Sequence, residues 1–185
     1  MSGYADLIVN FAERTIQNLN FLRAQASAGD PNVFEVTQLW NSLLGLIVLP
    51  HERDYEGGGM RHIPRTPMIE LWSQDPPWPR ITVSAPDHES LHDLVRDLRN
   101  AVAHFNVEFL TGPDNKPDDE ITAVTVWTQG SRRKKVPDNP GRPAFDPLGR
   151  PVKAGNYYWE GQINVEELER LARLIADVYL RVFAH

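Results

Sequence analysis

Apolar residues recur at three- and four-residue spacing in four stretches of this chain, and at two-residue spacing in three others. In the first stretch Tyr4, Leu7, Ile8, Phe11, Ile16, Leu19 and Leu22 fall on one side of a helical period. Gly29-Asp30-Pro31 is expected to end that helix. Asn32 with Glu35 has capping-box spacing for a second helix, whose stripe is Val36, Leu39, Trp40, Leu43 and Ile47 and which Pro50 closes. A third helix is predicted from near Ser84–Asp87 to about His104, with Leu91, Leu94, Val95, Leu98, Val102 and Phe105 on its buried side. The last helix starts from an Asn164/Glu167 cap and carries Leu168, Leu171, Ile175, Val178 and Val182.

Strand-like alternation runs through Phe105, Val107 and Phe109, through "ITAVTVW" (121–127) and through "YYWEGQI" (157–163). Residues 50–86 form a long irregular stretch with seven prolines and "GGG" at 57–59, with regular character only around 68–72 and with Trp72 and Trp78 to pin it. The reading is one mainly α domain over residues 1–185: a helical bundle with a small antiparallel β-hairpin inserted before the last helix. The Pro/Gly-rich stretch 51–80 and the basic stretch 129–153 are its insertions.

Composition narrows the chemistry. The chain has 185 residues and no cysteine, which removes disulfides, thiolate metal sites and cysteine nucleophiles. Its longest apolar run, "LLGLIVL" (43–49), is too short to cross a bilayer, and the N-terminal stretch is too polar for a signal peptide. A cytoplasmic protein with no membrane partner is expected. The formal charge is −6, which on average argues against nucleic acid. The average conceals an asymmetry: residues 129–153 carry a net +5 and the remainder −11. Phosphate responds to the local field, so Arg132, Arg133, Lys134 and Lys135 are candidate RNA contacts. A solvated loop would account for the same charge run.

The segment "RDLRNAVAHFNVEF" (96–109) holds the candidate site. At about 100° per residue, Arg99 lies about 100° to one side of Leu98 and His104 about 120° to the other, with Asn100 about 40° from His104. Arg99 and His104 therefore flank the apolar stripe from opposite edges. For both to serve one reaction, either the arginine reaches round the helix or a second copy of the chain supplies the missing edge.

Arg99-Asn100-x-x-x-His104 resembles the Arg-x4-His signature of the HEPN family (higher eukaryotes and prokaryotes nucleotide-binding domains). "FAERTIQNLNFL" (11–22) and "FEVTQLWNSLLGLIVLP" (34–50) resemble the opening helices of a small prokaryotic branch of that family, and a strand such as "FNVEFL" follows the motif there. The resemblance covers most of the chain outside 51–80 and 129–153. It implies an α-helical, dimeric endoribonuclease that needs neither metal nor cofactor, and a toxin or phage-defence role with an antitoxin as partner. The residues suit that chemistry. A histidine can take the 2′-OH proton or protonate the leaving 5′-oxygen, an arginine can hold the phosphate as charge builds, and Asn100 can orient the histidine or hydrogen-bond the phosphate. Some toxin relatives carry a tyrosine two residues after the histidine, which their antitoxin modifies. Asn106 stands there, which argues against regulation by that route.

Two other readings compete. A non-catalytic HEPN-type module binding RNA or protein as a dimer would also suit the acidic average charge. "HESLH" (88–92) has the H-E-x-x-H form of a zinc site, but Val95 and Leu98 stand where the extended pattern needs glycine and histidine, so no metal is assigned.

Overall fold

The computed structural model describes residues 3–29, 35–52, 63–83, 88–112, 120–129, 144–145, 151–152 and 158–183. Its helices are α1 (Gly3–Ser27), α2 (Glu35–Glu52), α3 (Met68–Trp72), α4 (Leu91–Ala103) and α5 (Val165–Phe183). Its strands are β1 (Thr82–Val83), β2 (Val107–Thr111), β3 (Ile121–Gln129), β4 (Ala144–Phe145), β5 (Pro151–Val152) and β6 (Tyr158–Asn164). The chain is mainly helical, with an antiparallel sheet preceding the last helix, as its periodicity requires.

The helices end where local chemistry stops them. At the end of α1, Gly29 takes φ +76 and donates its N–H to Ala26 O at 2.9 Å, a left-handed turn that glycine enters without a Cβ clash. α5 begins as expected, with Asn164 Oδ1 accepting the Glu167 N–H at 2.8 Å. α2 runs two residues past Pro50, to Glu52, rather than closing on it. A proline removes one N–H and restrains the residue before it, which does not prevent a last partial turn beyond it. The Asn32 cap and the glycines at 57–59 lie outside the described residues.

α4 departs most from expectation. It begins at Leu91, not near Ser84–Asp87, and residues 84–87 lie outside the described residues. Residues 89–91 are held in extended pairing with 66–68: Met68 N–H donates to Glu89 O at 2.9 Å and Leu91 N–H to Thr66 O at 3.0 Å. Met68 N–H thus occupies the Glu89 carbonyl, and the first helical carbonyl is that of Ser90, which accepts the Leu94 N–H at 3.1 Å. The helix starts at Leu91, with Ser90 as its N-cap: Ser90 Oγ accepts the Asp93 N–H at 3.3 Å and donates to Asp93 Oδ2 at 2.8 Å. The same pairing anchors the short α3, and Trp78 N–H donates to Leu71 O at 3.1 Å, so Trp78 is buried as a pin for this connection. Arg80 lies over the Trp72 ring at 4.8 Å.

The main sheet runs β1-β6-β3-β2, antiparallel throughout, and adds β1 to the three strand-like segments of the sequence. A two-residue strand carries no readable period, so pairing alone reveals β1. Val124 faces Ile163, and Val126 faces Gly161 on one side and Val107 on the other. These side chains join the core built by α1, α2, α4 and α5, while α4 packs against β3. Within 129–153, β4 and β5 pair as a two-stranded ribbon.

Gly161 shows how tightly the sheet is sealed. A Cβ there would lie 2.4 Å from Ile81 Cγ2 and 2.8 Å from Trp159 Cζ2. Both neighbours are buried, so neither moves cheaply. Gly161→Ala is expected to destabilise the fold by about 1–3 kcal/mol, read as a lower urea midpoint at unchanged slope.

Candidate functional site

Arg99 and Asn100 sit on the last turn of α4, and His104 directly follows it. Arg99 and Asn100 are half-buried, and Arg99 Nη1 donates to Asn100 Oδ1 at 3.0 Å. The guanidinium thus bends round the helix toward the histidine edge. Asn100 holds the arginine, where the sequence left open whether it served the phosphate or the histidine.

His104 is not within the helix. It is the C-cap, at φ −103 and ψ 9, with its side chain exposed and its N–H donating to Asn100 O at 3.2 Å. The chain then closes α4 with two further bonds, Phe105 N–H to Val102 O at 3.0 Å and Asn106 N–H to Ala101 O at 2.8 Å. This is the Schellman pattern, in which the residue after the cap is left-handed and usually glycine. Here it is Phe105, at φ +53. A bulky residue in that region costs about 1–2 kcal/mol relative to the right-handed form.

The closure corrects the buried stripe. The helical period assigns Phe105 to the apolar side of the third helix, yet it is 88% exposed. The helical period stops at Ala103, and the left-handed residue throws its side chain outward. Asn106 turns inward instead: it is buried, and its carbonyl accepts the Trp127 N–H at 3.1 Å, tying the end of α4 to β3.

The H-E-x-x-H segment is also resolved by the start of α4. His88 precedes the helix and His92 lies in its first turn, so the two are not spaced on one helical face. His88 is buried and bonds Asp97, Nε2 to Oδ2 at 3.1 Å, with its ring edge-on to Trp159 at 4.7 Å. Asp97 is fully buried, and Arg96 Nε lies 3.5 Å from its other oxygen. Sequence periodicity carries no trace of this pair, because the contact runs from a loop residue back onto a helix.

Burial, and then Arg65 and Arg96, hold the His92 imidazole below its ordinary value, against the opposing pull of Asp93. A depressed histidine favours the unfolded chain once pH falls below about 6.5, where the unfolded imidazole takes up a proton that the folded one resists. Stability therefore declines on acidification from about 6.5 down to the lower folded-state pKa. His92→Gln is expected to lose less melting temperature between pH 7.5 and pH 5 than the parent, as followed by circular dichroism.

The basic candidates Arg132, Arg133, Lys134 and Lys135 lie outside the described residues. No helix among the described residues is long and apolar enough to cross a membrane. No curated protein and no solved structure matches the chain. A family model does, the one described as HEPN pEK499 p136, over residues 1–184. The match spans both opening helices, the Arg99–His104 segment and the closing helix, and the chain belongs to this HEPN family.

Proposed function

We propose that this HEPN domain is a metal-independent endoribonuclease that works as a homodimer, with Arg99 and His104 as its reacting groups. The observation that carries the reading is the last turn of α4. It holds a guanidinium in place through Asn100 at 3.0 Å and presents an exposed histidine at the same helix end. A fixed cation and an exposed imidazole are what RNA transesterification requires from a protein, because RNA brings its own nucleophile.

In the reaction the 2′-oxygen attacks the adjacent phosphorus as a histidine removes its proton. The bond to the 5′-oxygen breaks, and that oxygen receives a proton from an imidazolium. The products are a 2′,3′-cyclic phosphate and a 5′-hydroxyl. Two histidines divide these proton transfers most simply, and a two-fold dimer places one from each copy in a shared cleft. Arg99 stabilises the charge that builds on the phosphoryl oxygens. The basic segment at 132–135 is assigned to more distant phosphates of the same strand. In the cell this activity suits a toxin or phage-defence effector restrained by an antitoxin.

The test is direct. Purified protein in excess chelator is incubated with a single-stranded RNA and with the same sequence made wholly of 2′-deoxynucleotides. Cleavage of the first alone, leaving cyclic phosphate ends, is expected. RNA bound but left intact identifies a binding module instead, and loss of cleavage in chelator overturns the metal-independent mechanism.

A further inference from the structure

We propose that Phe105 is a stacking platform for the RNA base beside the phosphate that Arg99 and His104 handle. The inference rests on the ribonuclease reading and adds to it a contact with the base. Three observations converge on this residue: it occupies the left-handed position at φ +53, it is 88% exposed, and it directly follows His104.

The fold has no use for the ring. Both closing hydrogen bonds of α4 are backbone bonds that glycine would make without steric cost. The core gains nothing either, since the ring lies in solvent. Strain that the surrounding structure does not need is a mark of function. What the ring presents is an apolar face at the helix end that carries His104. Unpaired bases stack on such faces whatever their identity, whereas bases in a duplex already stack on one another. The implied ligand is therefore an unpaired nucleotide in single-stranded RNA. Phe109, also exposed, is engaged differently: its ring meets Trp40 edge-on at 5.8 Å. Phe21 is exposed on α1, far from the motif in sequence.

The experiment uses the full chain with His104→Ala, so that RNA survives. Fluorescence anisotropy measures binding of a single-stranded RNA oligonucleotide and of a ribose-phosphate chain of equal length without bases. The parent is expected to prefer the RNA. Adding Phe105→Gly should weaken RNA binding about 5- to 100-fold, leave the base-free chain nearly unaffected, and keep or raise the melting temperature. Phe105→Trp should restore the preference. Equal RNA affinity in the parent and Phe105→Gly overturns the inference and leaves the ribonuclease reading standing. Equal weakening toward both ligands, together with dissociation of a dimer in light scattering, also overturns it and assigns the ring to a subunit contact. A parent that binds no RNA overturns both.

Discussion

His104→Ala is expected to reduce RNA cleavage by about 10²–10⁴-fold, the usual contribution of a positioned general acid or base. Stability should hardly change. The side chain is exposed, and the hydrogen bond that His104 adds to the end of α4 comes from its backbone N–H, which alanine keeps. Surface substitutions of this kind stay within about 0.5 kcal/mol. The comparison is therefore clean: melting temperature unchanged, cyclic phosphate ends gone, and any growth inhibition on expression relieved. Cleavage that persists in the variant would remove the histidine from the mechanism. Asn100→Ala separates the two halves of the site. It frees the Arg99 guanidinium from its 3.0 Å partner without touching the imidazole, so a smaller loss of rate is expected there. Arg99→Lys keeps the charge but loses the planar fork, and it too should be impaired.

The helices were legible because their burial is periodic, and the resemblance that identified the family rests on those same helices. What escaped the sequence lies where periodicity ends. Phe105 fits the α4 stripe if the helix continues, but the stop is made by backbone bonds to Val102 and Ala101 and needs no glycine to announce it. The start of α4 was misplaced for a related reason. Ser84 and Asp87 have capping spacing, and so do Ser90 and Asp93; the choice between them is made by pairing with residues 66–68, which local sequence does not encode. The angular count placed Arg99 and His104 on opposite edges from their Cα positions. It does not give the partner of the long arginine side chain, which is its neighbour Asn100.

The largest stability effect is expected at a residue the motif does not include. Asp97 is fully buried on α4, and its carboxylate meets His88 Nε2 at 3.1 Å and lies 3.5 Å from Arg96 Nε. His88 belongs to the connection that precedes the helix, and its ring packs on Trp159 of β6. One pair thus joins the connection, α4 and the sheet. Removing His88 takes away the 3.1 Å partner of one oxygen of this buried carboxylate, and it also opens space against Trp159. Breaking a buried pair from one side costs about 3–5 kcal/mol, so His88→Ala should unfold at a much lower urea concentration than the parent. Replacing both partners at once removes the stranded charge. His88→Leu combined with Asp97→Leu should be less destabilising than His88→Ala alone, because apolar groups leave no polar atom to satisfy. A double variant as unstable as the sum of the singles would show instead that shape, not charge pairing, governs this contact. The same measurements bear on catalysis. His88 meets α4 at Asp97, in the middle of the helix, and neither residue belongs to the turn that carries Arg99 and leads to His104. The folded fraction of His88→Ala should therefore retain the chemistry that His104→Ala loses, and its activity should fall only as its folded population does.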